Sequence, residues 1–254
     1  MSGFVGYWGY GAHEELELNL ARCLNAIPAL SQRISLKEPP SNGRALAHAG
    51  IALWGANAQF ERQTQDDPGS FTASLSASGI ATTQDVWVTA GGRSLRLGRE
   101  PFGRATLYWT QIKEVIWFAS RLQCLLPILN RRDVATAGLY GYVCFSFVPA
   151  PLTPVENVFA IPAGSESVWS MDSASQSDAT LFRESFFQND WRESDHQICD
   201  EEQATLELRG ILENAIRKQI DDLPSGPVAV FLSGGLDSSI TAALLAREGV
   251  RADG

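Results

Sequence analysis

Cysteine and histidine are scarce in this 254-residue chain, with four of the first and three of the second. Cys23, Cys124, Cys144 and Cys199 are scattered and form no C-x-x-C pair. That pattern fits free buried thiols in a reducing, cytoplasmic setting better than a disulfide framework or a metal site. His13, His48 and His196 are equally isolated, so no histidine-based metal cluster is expected. No apolar run approaches the ~18 residues of a membrane span. The N-terminus lacks the basic region and apolar core of a secretory signal. Basic residues are outnumbered, 20 Lys and Arg against 29 Asp and Glu, for a formal net charge of −9. With no basic cluster to offset that charge, a nucleic-acid-binding surface is not expected. The remaining composition, 44% apolar and 19% charged, is that of an ordinary globular protein. The length suffices for one large or two small domains, each with its own core.

A lysine is also missing from the chain's most distinctive turn. Val228, Ala229, Val230, Phe231 and Leu232 follow the turn signal Pro224-Ser225-Gly226-Pro227 and predict a buried strand. The strand breaks at Gly234 and Gly235, which permit backbone angles that other residues resist. Asp237 and Ser238 then open a run, Ile240 to Arg247, that predicts a helix stopping at Gly249. Strand, glycine turn and helix N-terminus together aim several backbone N–H groups at one spot, which favours an anion. Without a lysine at its end, this is not the Walker-type loop. Ser, Gly and Asp also cluster in ordinary turns, but a turn between a strand and a helix is where a phosphate cradle belongs.

Upstream, the chain reads as a separate domain. Gly3 to Trp8 is apolar, and Ala12 to Ile27 has helical spacing, with Leu16, Leu20, Cys23, Leu24 and Ile27 on one stripe. Glu14, Glu15 and Glu17 suit the positive end of that helix. Short β-rich runs then recur at 45–54, 70–77, 85–89, 94–97, 106–110 and 115–119, with Gly91 and Gly92 as a hairpin turn. Many short strands and few helices predict antiparallel sheets in two packed layers with helices outside. A short helix around 135–143, a Pro-punctuated loop through Pro149, Pro151 and Pro154, and a strand over 165–170 follow. The stretch 171–199 reads as an exposed linker. Asp200 can cap a final amphipathic helix that carries Leu208, Ile211, Leu212, Ala215, Ile216, Ile220 and Leu223. That helix is expected to pack on the sheet begun by residues 228–232.

Ser233-Gly234-Gly235-Leu236-Asp237-Ser238 matches the S-G-G-x-D-S loop of ATP-pyrophosphatase enzymes at every fixed position. Other anchors lie in order before it. Met1-Ser2-Gly3-Phe4-Val5-Gly6 is similar to a Met-Cys-Gly-Ile-x-Gly start, and 98–108 to a G-R-D-x-x-G-x-x-P-L-Y segment. Residues 118–125 are similar to an A-S-E-x-K-A-L stretch, with Arg121 for Glu and Gln123 for Lys. Residues 140–143, 149–153 and 161–164 are similar to a segment linking two strands. Taken together, the chain resembles the glutamine-dependent asparagine synthetase family, whose relatives include β-lactam synthetases and lasso-peptide cyclases.

The resemblance implies an α+β fold: an N-terminal-nucleophile (Ntn) hydrolase-like α/β/β/α sandwich over 1–170, a linker over 171–199, and over 200–254 the first strand and flanking helices of a parallel α/β ATP-pyrophosphatase domain. It implies an ATP-dependent ligase in which a carboxylate is adenylated and a nitrogen nucleophile then forms the amide, as in asparagine biosynthesis. Leu232, Ser233, Gly234, Gly235, Leu236, Asp237, Ser238 and Ser239 would hold ATP and pyrophosphate, with Asp237 anchoring Mg²⁺. The partners would be a small-molecule or peptide carboxylate and a nitrogen donor. A homodimer stays open.

Two departures qualify the resemblance. Where the family's glutaminase nucleophile is a cysteine, this chain has Ser2, whose hydroxyl is far less acidic than a thiol. No R-G-P-D segment or Asn-Gly-Glu grip is present, and Asn42-Gly43-Arg44 puts an arginine where the family has a carboxylate. A degenerate scaffold is therefore expected over 1–170. The alternatives are a glutamine-hydrolysing amidotransferase that uses Ser2 and a non-catalytic binding module. The family's synthetase domain also runs well past its pyrophosphate loop, so the expectation is a fragment, inactive on its own.

Overall fold

The computed structural model describes residues 2–27, 31–36, 47–63, 70–76, 84–171, 179–185, 200–221, 228–250 and 252–253. Met1, residues 42–44, Cys199, His196 and the turn 224–227 lie outside them. The chain divides into two compact units, Met1–Gln188 and Asn189–Gly254.

In chain order, the first unit contains β1 (Gly3–Gly9), α1 (His13–Asn25), β2 (Ser31–Leu36), β3 (His48–Trp54), β4 (Ala58–Gln63), β5 (Ser70–Leu75), β6 (Val86–Ala90), β7 (Ser94–Arg99), β8 (Tyr108–Ile112) and β9 (Val115–Ala119). Two 3-10 turns follow, then α2 (Thr136–Phe145), β10 (Phe159–Ala160), β11 (Ser165–Met171) and β12 (Ala179–Ser185). One six-stranded sheet has the order β10-β8-β9-β1-β3-β2 and the other β12-β11-β7-β6-β5-β4. The strand pairs in both are antiparallel.

Side-chain alternation assigns the layers. Along β1, Phe4 and Trp8 enter the core between the sheets, while Val5 and Tyr7 enter a second core shared with α1. β9 divides in the same way, Ile116 and Phe118 against Val115 and Trp117. Strands buried on both faces read as unbroken apolar runs, as these do. The second sheet alternates instead: in β6, Val86, Val88 and Ala90 are buried and Trp87 and Thr89 are not. Its outer face carries polar links, such as Trp87 Nε1 to Glu166 at 3.1 Å and Arg96 to Glu166 at 2.9 Å. Among the described residues no helix covers that face, so the layers they form run helix, sheet, sheet.

Helix α1 buries Leu16, Leu20, Cys23 and Leu24, the stripe expected from the spacing. The Gly91–Gly92 turn forms, with the Gly91 N–H donating to the Ser94 carbonyl at 2.9 Å. Trp8 Nε1 donates to the Gly91 carbonyl at 2.7 Å and so ties the first sheet to a hairpin of the second. Within the stretch expected as a linker, β12 pairs with β11 from Ser165↔Ser185 to Met171↔Ala179. Cys23 and Cys124 are buried as expected, but Cys144 is exposed on α2. The His13 and His48 rings lie 6.1 Å apart.

The second unit holds α3 (Glu201–Asp221), β13 (Val228–Ala229), α4 (Leu236–Arg247) and β14 (Ala252–Asp253). The Asp200 carboxylate accepts the Glu202 N–H at 3.2 Å, the expected cap. No α3 residue is buried, contrary to the expectation of a core-facing helix. Its link is to α4 through ion pairs, Arg217 to Glu248 at 2.9 Å and Arg247 to Glu213 at 3.0 Å. The bond to Arg217 holds the Glu248 carboxyl below the usual carboxylate range. β13 and β14 pair in parallel, Val228↔Ala252 and Ala229↔Asp253, so β13, α4 and β14 form a β–α–β crossover. The predicted buried strand of 228–232 is thus two residues long, and Phe231 and Leu232 are 96% and 60% exposed. A two-residue pair offers them no layer to pack against.

Candidate functional site

The turn after β13 is built by glycine and serine. Gly234 has φ +78°, a left-handed backbone, and open space where a Cβ would sit. The Ser233 and Ser238 hydroxyl oxygens lie 3.1 Å apart across the turn. Ser233 N–H donates to Ser238 Oγ, and Gly235 N–H to Ser233 Oγ, both at 3.3 Å. The Ser238 and Ser239 hydroxyls donate back to the Gly235 carbonyl at 3.1 and 2.8 Å. The turn is therefore shaped by its own side chains and lies open to solvent.

Helix α4 begins without a side-chain cap, its N-cap being Gly235. Its first α-type bond runs from Ser239 N–H to the Gly235 carbonyl, which leaves the Leu236, Asp237 and Ser238 amides at the open end. Uncapped amides at the positive end of a helix dipole suit a phosphate group. Asp237 stands in that first turn as an exposed carboxylate. An exposed carboxylate beside an anion cradle is a hard oxygen donor of the kind Mg²⁺ takes together with phosphate oxygens. The residues present thus fit a Mg²⁺-bound nucleotide. Leu232 to Ser239 come together in this turn, and all but Ser238, which is half-buried, are exposed.

Ser2 belongs to the other unit. Asn57 N–H donates to Ser2 Oγ at 3.1 Å, at the mouth of a cavity of about 640 Å³ also lined by Ser76, Arg104, Tyr108 and Arg121. Gly3 next to it must be glycine, because a Cβ there would meet the Trp54 ring and Ser120 Oγ. Sequence reasoning missed the polar cluster behind this cavity. Arg99 donates to the carbonyls of Ala105, Gly103 and Ile161 at 2.7, 2.8 and 3.1 Å, and its burial lowers the guanidinium pKa. The Glu100 carboxylate accepts the Phe102 and Arg104 N–H groups at 2.7 and 2.6 Å. Arg104 reaches the buried Asp85 at 2.8 Å. The signal was the dense Gly98–Arg104 segment, legible as a motif but not as a hydrogen-bond hub.

Comparison with known proteins bears on both units. The sequence profile of asparagine synthase matches residues 207–252, which include the whole serine–glycine turn. Asparagine synthetase [glutamine-hydrolyzing] 1 of Bacillus subtilis is 28% identical over 142 residues, 56% of this chain and 21% of the synthetase. The chain is thus similar to asparagine synthetases over these stretches, and it spans about a fifth of the length of that relative. Among solved structures, a B. subtilis glutamine phosphoribosylpyrophosphate amidotransferase complexed with ADP and GMP overlays on 99% of the chain and 65% of its own, at 10% identity and a TM-score of 0.36. An allosteric regulatory enzyme of purine biosynthesis does so over 99% and 64%, at 11% and 0.39.

Proposed function

We propose that the protein is an ATP-dependent amide-forming ligase of the asparagine synthetase type, to which this chain contributes the pyrophosphate turn. The observation that carries this reading is the uncapped start of α4, set behind Ser233-Gly234-Gly235 on a β–α–β crossover and inside the family match. A carboxylate oxygen of the acceptor attacks the α-phosphorus of ATP, and the α–β phosphoanhydride bond breaks. The amides of Gly234, Leu236, Asp237 and Ser238 hold the departing pyrophosphate as its charge grows. A bound Mg²⁺ would neutralise charge on the bridging oxygens, and Asp237 is the residue that would anchor it. The Ser233, Ser238 and Ser239 hydroxyls would be further donors to the phosphates once Ser238 and Ser239 release the Gly235 carbonyl, and the Leu232 backbone would contact adenine. A nitrogen nucleophile then attacks the acyl carbon, AMP leaves, and the nitrogen loses a proton. The work is positioning and electrostatics, so this chain needs no covalent residue here. Phosphorus NMR of the whole protein with ATP, a carboxylate and an amine tests the reaction type. AMP and pyrophosphate are expected; ADP and inorganic phosphate would sink it.

One observation favours a second reading, glutamine hydrolysis by Ser2: the residue stands at a cavity of ligand size. Against it, the acids beside that cavity are already engaged by Arg104 and backbone amides. A glutamine-mimicking electrophile that labels Ser2 would support hydrolysis; an unlabelled Ser2 counts for the scaffold.

A further inference from the structure

The cavity at Ser2 has an unbalanced charge. Two guanidinium groups, Arg104 and Arg121, line it, and among the described residues no carboxylate does. The nearest acids are withdrawn. Asp85 is wholly buried against Arg104, and Glu100 is occupied by two backbone amides and by Arg104. Arg121 differs from Arg104: it is half-buried, and among the described residues it forms no ion pair. Ser2 Oγ takes the Asn57 N–H as acceptor, so its own proton is left to donate. The chain as a whole carries a formal net charge of −9, so cations gathered without a facing acid run against the trend of the molecule.

We propose that this cavity binds a small carboxylate that carries no amine, held by Arg121 with help from Ser2 and the outward N–H groups of Arg104. A guanidinium matches a carboxylate in a two-bonded fork, which makes Arg121 the principal grip. An ammonium group entering with the ligand would lose its water and find no anionic partner, so α-amino acids are disfavoured. The volume lies within the ~300–1,000 Å³ usual for small-molecule sites. The site is in the other compact unit from the phosphate turn, and the proposal stands without the ligase reading.

Calorimetry of the whole chain at low ionic strength, with glutarate as probe and glutamine as control, tests it. Glutarate binds saturably and more tightly than glutamine. Arg121→Gln weakens glutarate about tenfold or more, the scale of a lost charged hydrogen-bond pair. Arg121→Lys keeps the charge but loses the fork, so it binds more weakly than the native chain and more tightly than Arg121→Gln, and circular dichroism checks that both variants fold. Ser2→Ala, which spares every charge, costs a smaller factor and serves if Arg121→Gln is misfolded. Absent glutarate binding, tighter binding of glutamine, or affinity indifferent to Arg121→Gln and Ser2→Ala overturns the proposal. None of these outcomes alters the expected ATP products, so the two readings fail separately.

Discussion

Arg104 and Asp85 form an ion pair of unequal partners, 2.8 Å apart: the carboxylate has no solvent exposure and the guanidinium about half. Asp85 also accepts from the backbone network, since its carbonyl receives the Glu100 N–H at 2.9 Å. The pair joins the turn before β6 to the loop after β7. Removing Arg104 leaves a buried charge without its cation. Arg104→Ala should lower unfolding stability by about 1–3 kcal/mol, less than a fully buried pair because Arg104 is half in water. Urea denaturation checks this, and the double variant Asp85→Asn/Arg104→Ala should recover part of the loss.

Replacing Ser2 by cysteine should not create a glutaminase. The thiol would be the better nucleophile, but among the described residues the cavity offers no acid to hold the glutamine ammonium. Ammonia release from glutamine by Ser2→Cys is expected at background; release well above it would show that the nucleophile alone was limiting.

Gly234→Ala introduces a side chain into a left-handed turn with ample space but the wrong backbone angle. The strain is ~1–2 kcal/mol, which predicts roughly a tenfold loss in the adenylation rate without loss of α4 helicity. Initial-rate kinetics together with far-ultraviolet circular dichroism separate the two effects.

Burial pushes the Cys124 thiol up to about 12 from an ordinary 9.0, and raises the neighbouring Cys23 as well. Both thiols stay neutral in the fold while the unfolded chain ionises above pH 9. Their contribution is complete below that pH and is lost as the pH rises through the folded values. The slope is roughly 1.4 kcal/mol per pH unit for each thiol. Cys124→Ala should flatten this alkaline limb. In the native protein a maleimide should label the exposed Cys144 well before Cys23 or Cys124.

The strands that sequence reading missed share a position. β2 is one edge of the first sheet, and β4 and β12 are the two edges of the second. Their sequences, Ser-Gln-Arg-Ile-Ser-Leu, Ala-Gln-Phe-Glu-Arg-Gln and Ala-Thr-Leu-Phe-Arg-Glu-Ser, are polar, as edges that must not pair with other chains often are. Interior strands such as β9 were legible because two cores claim their two faces. The serine–glycine turn was legible for another reason: backbone geometry requires glycine at Gly234, and the serines bond within six residues of one another. The Arg99–Glu100–Arg104 cluster was not, because its partners Asp85 and Ile161 are remote in sequence and only the sheet packing brings them together.

ATP–pyrophosphate exchange in the whole protein, with and without Asp237→Ala, probes the phosphate turn most directly. The native protein should exchange labelled pyrophosphate into ATP when Mg²⁺ and an acceptor carboxylate are present. Asp237→Ala should lower that exchange by about a hundredfold, the scale of a lost electrostatic contact in a transition state. Exchange that proceeds equally well without the Asp237 carboxylate would contradict the role assigned to the start of α4.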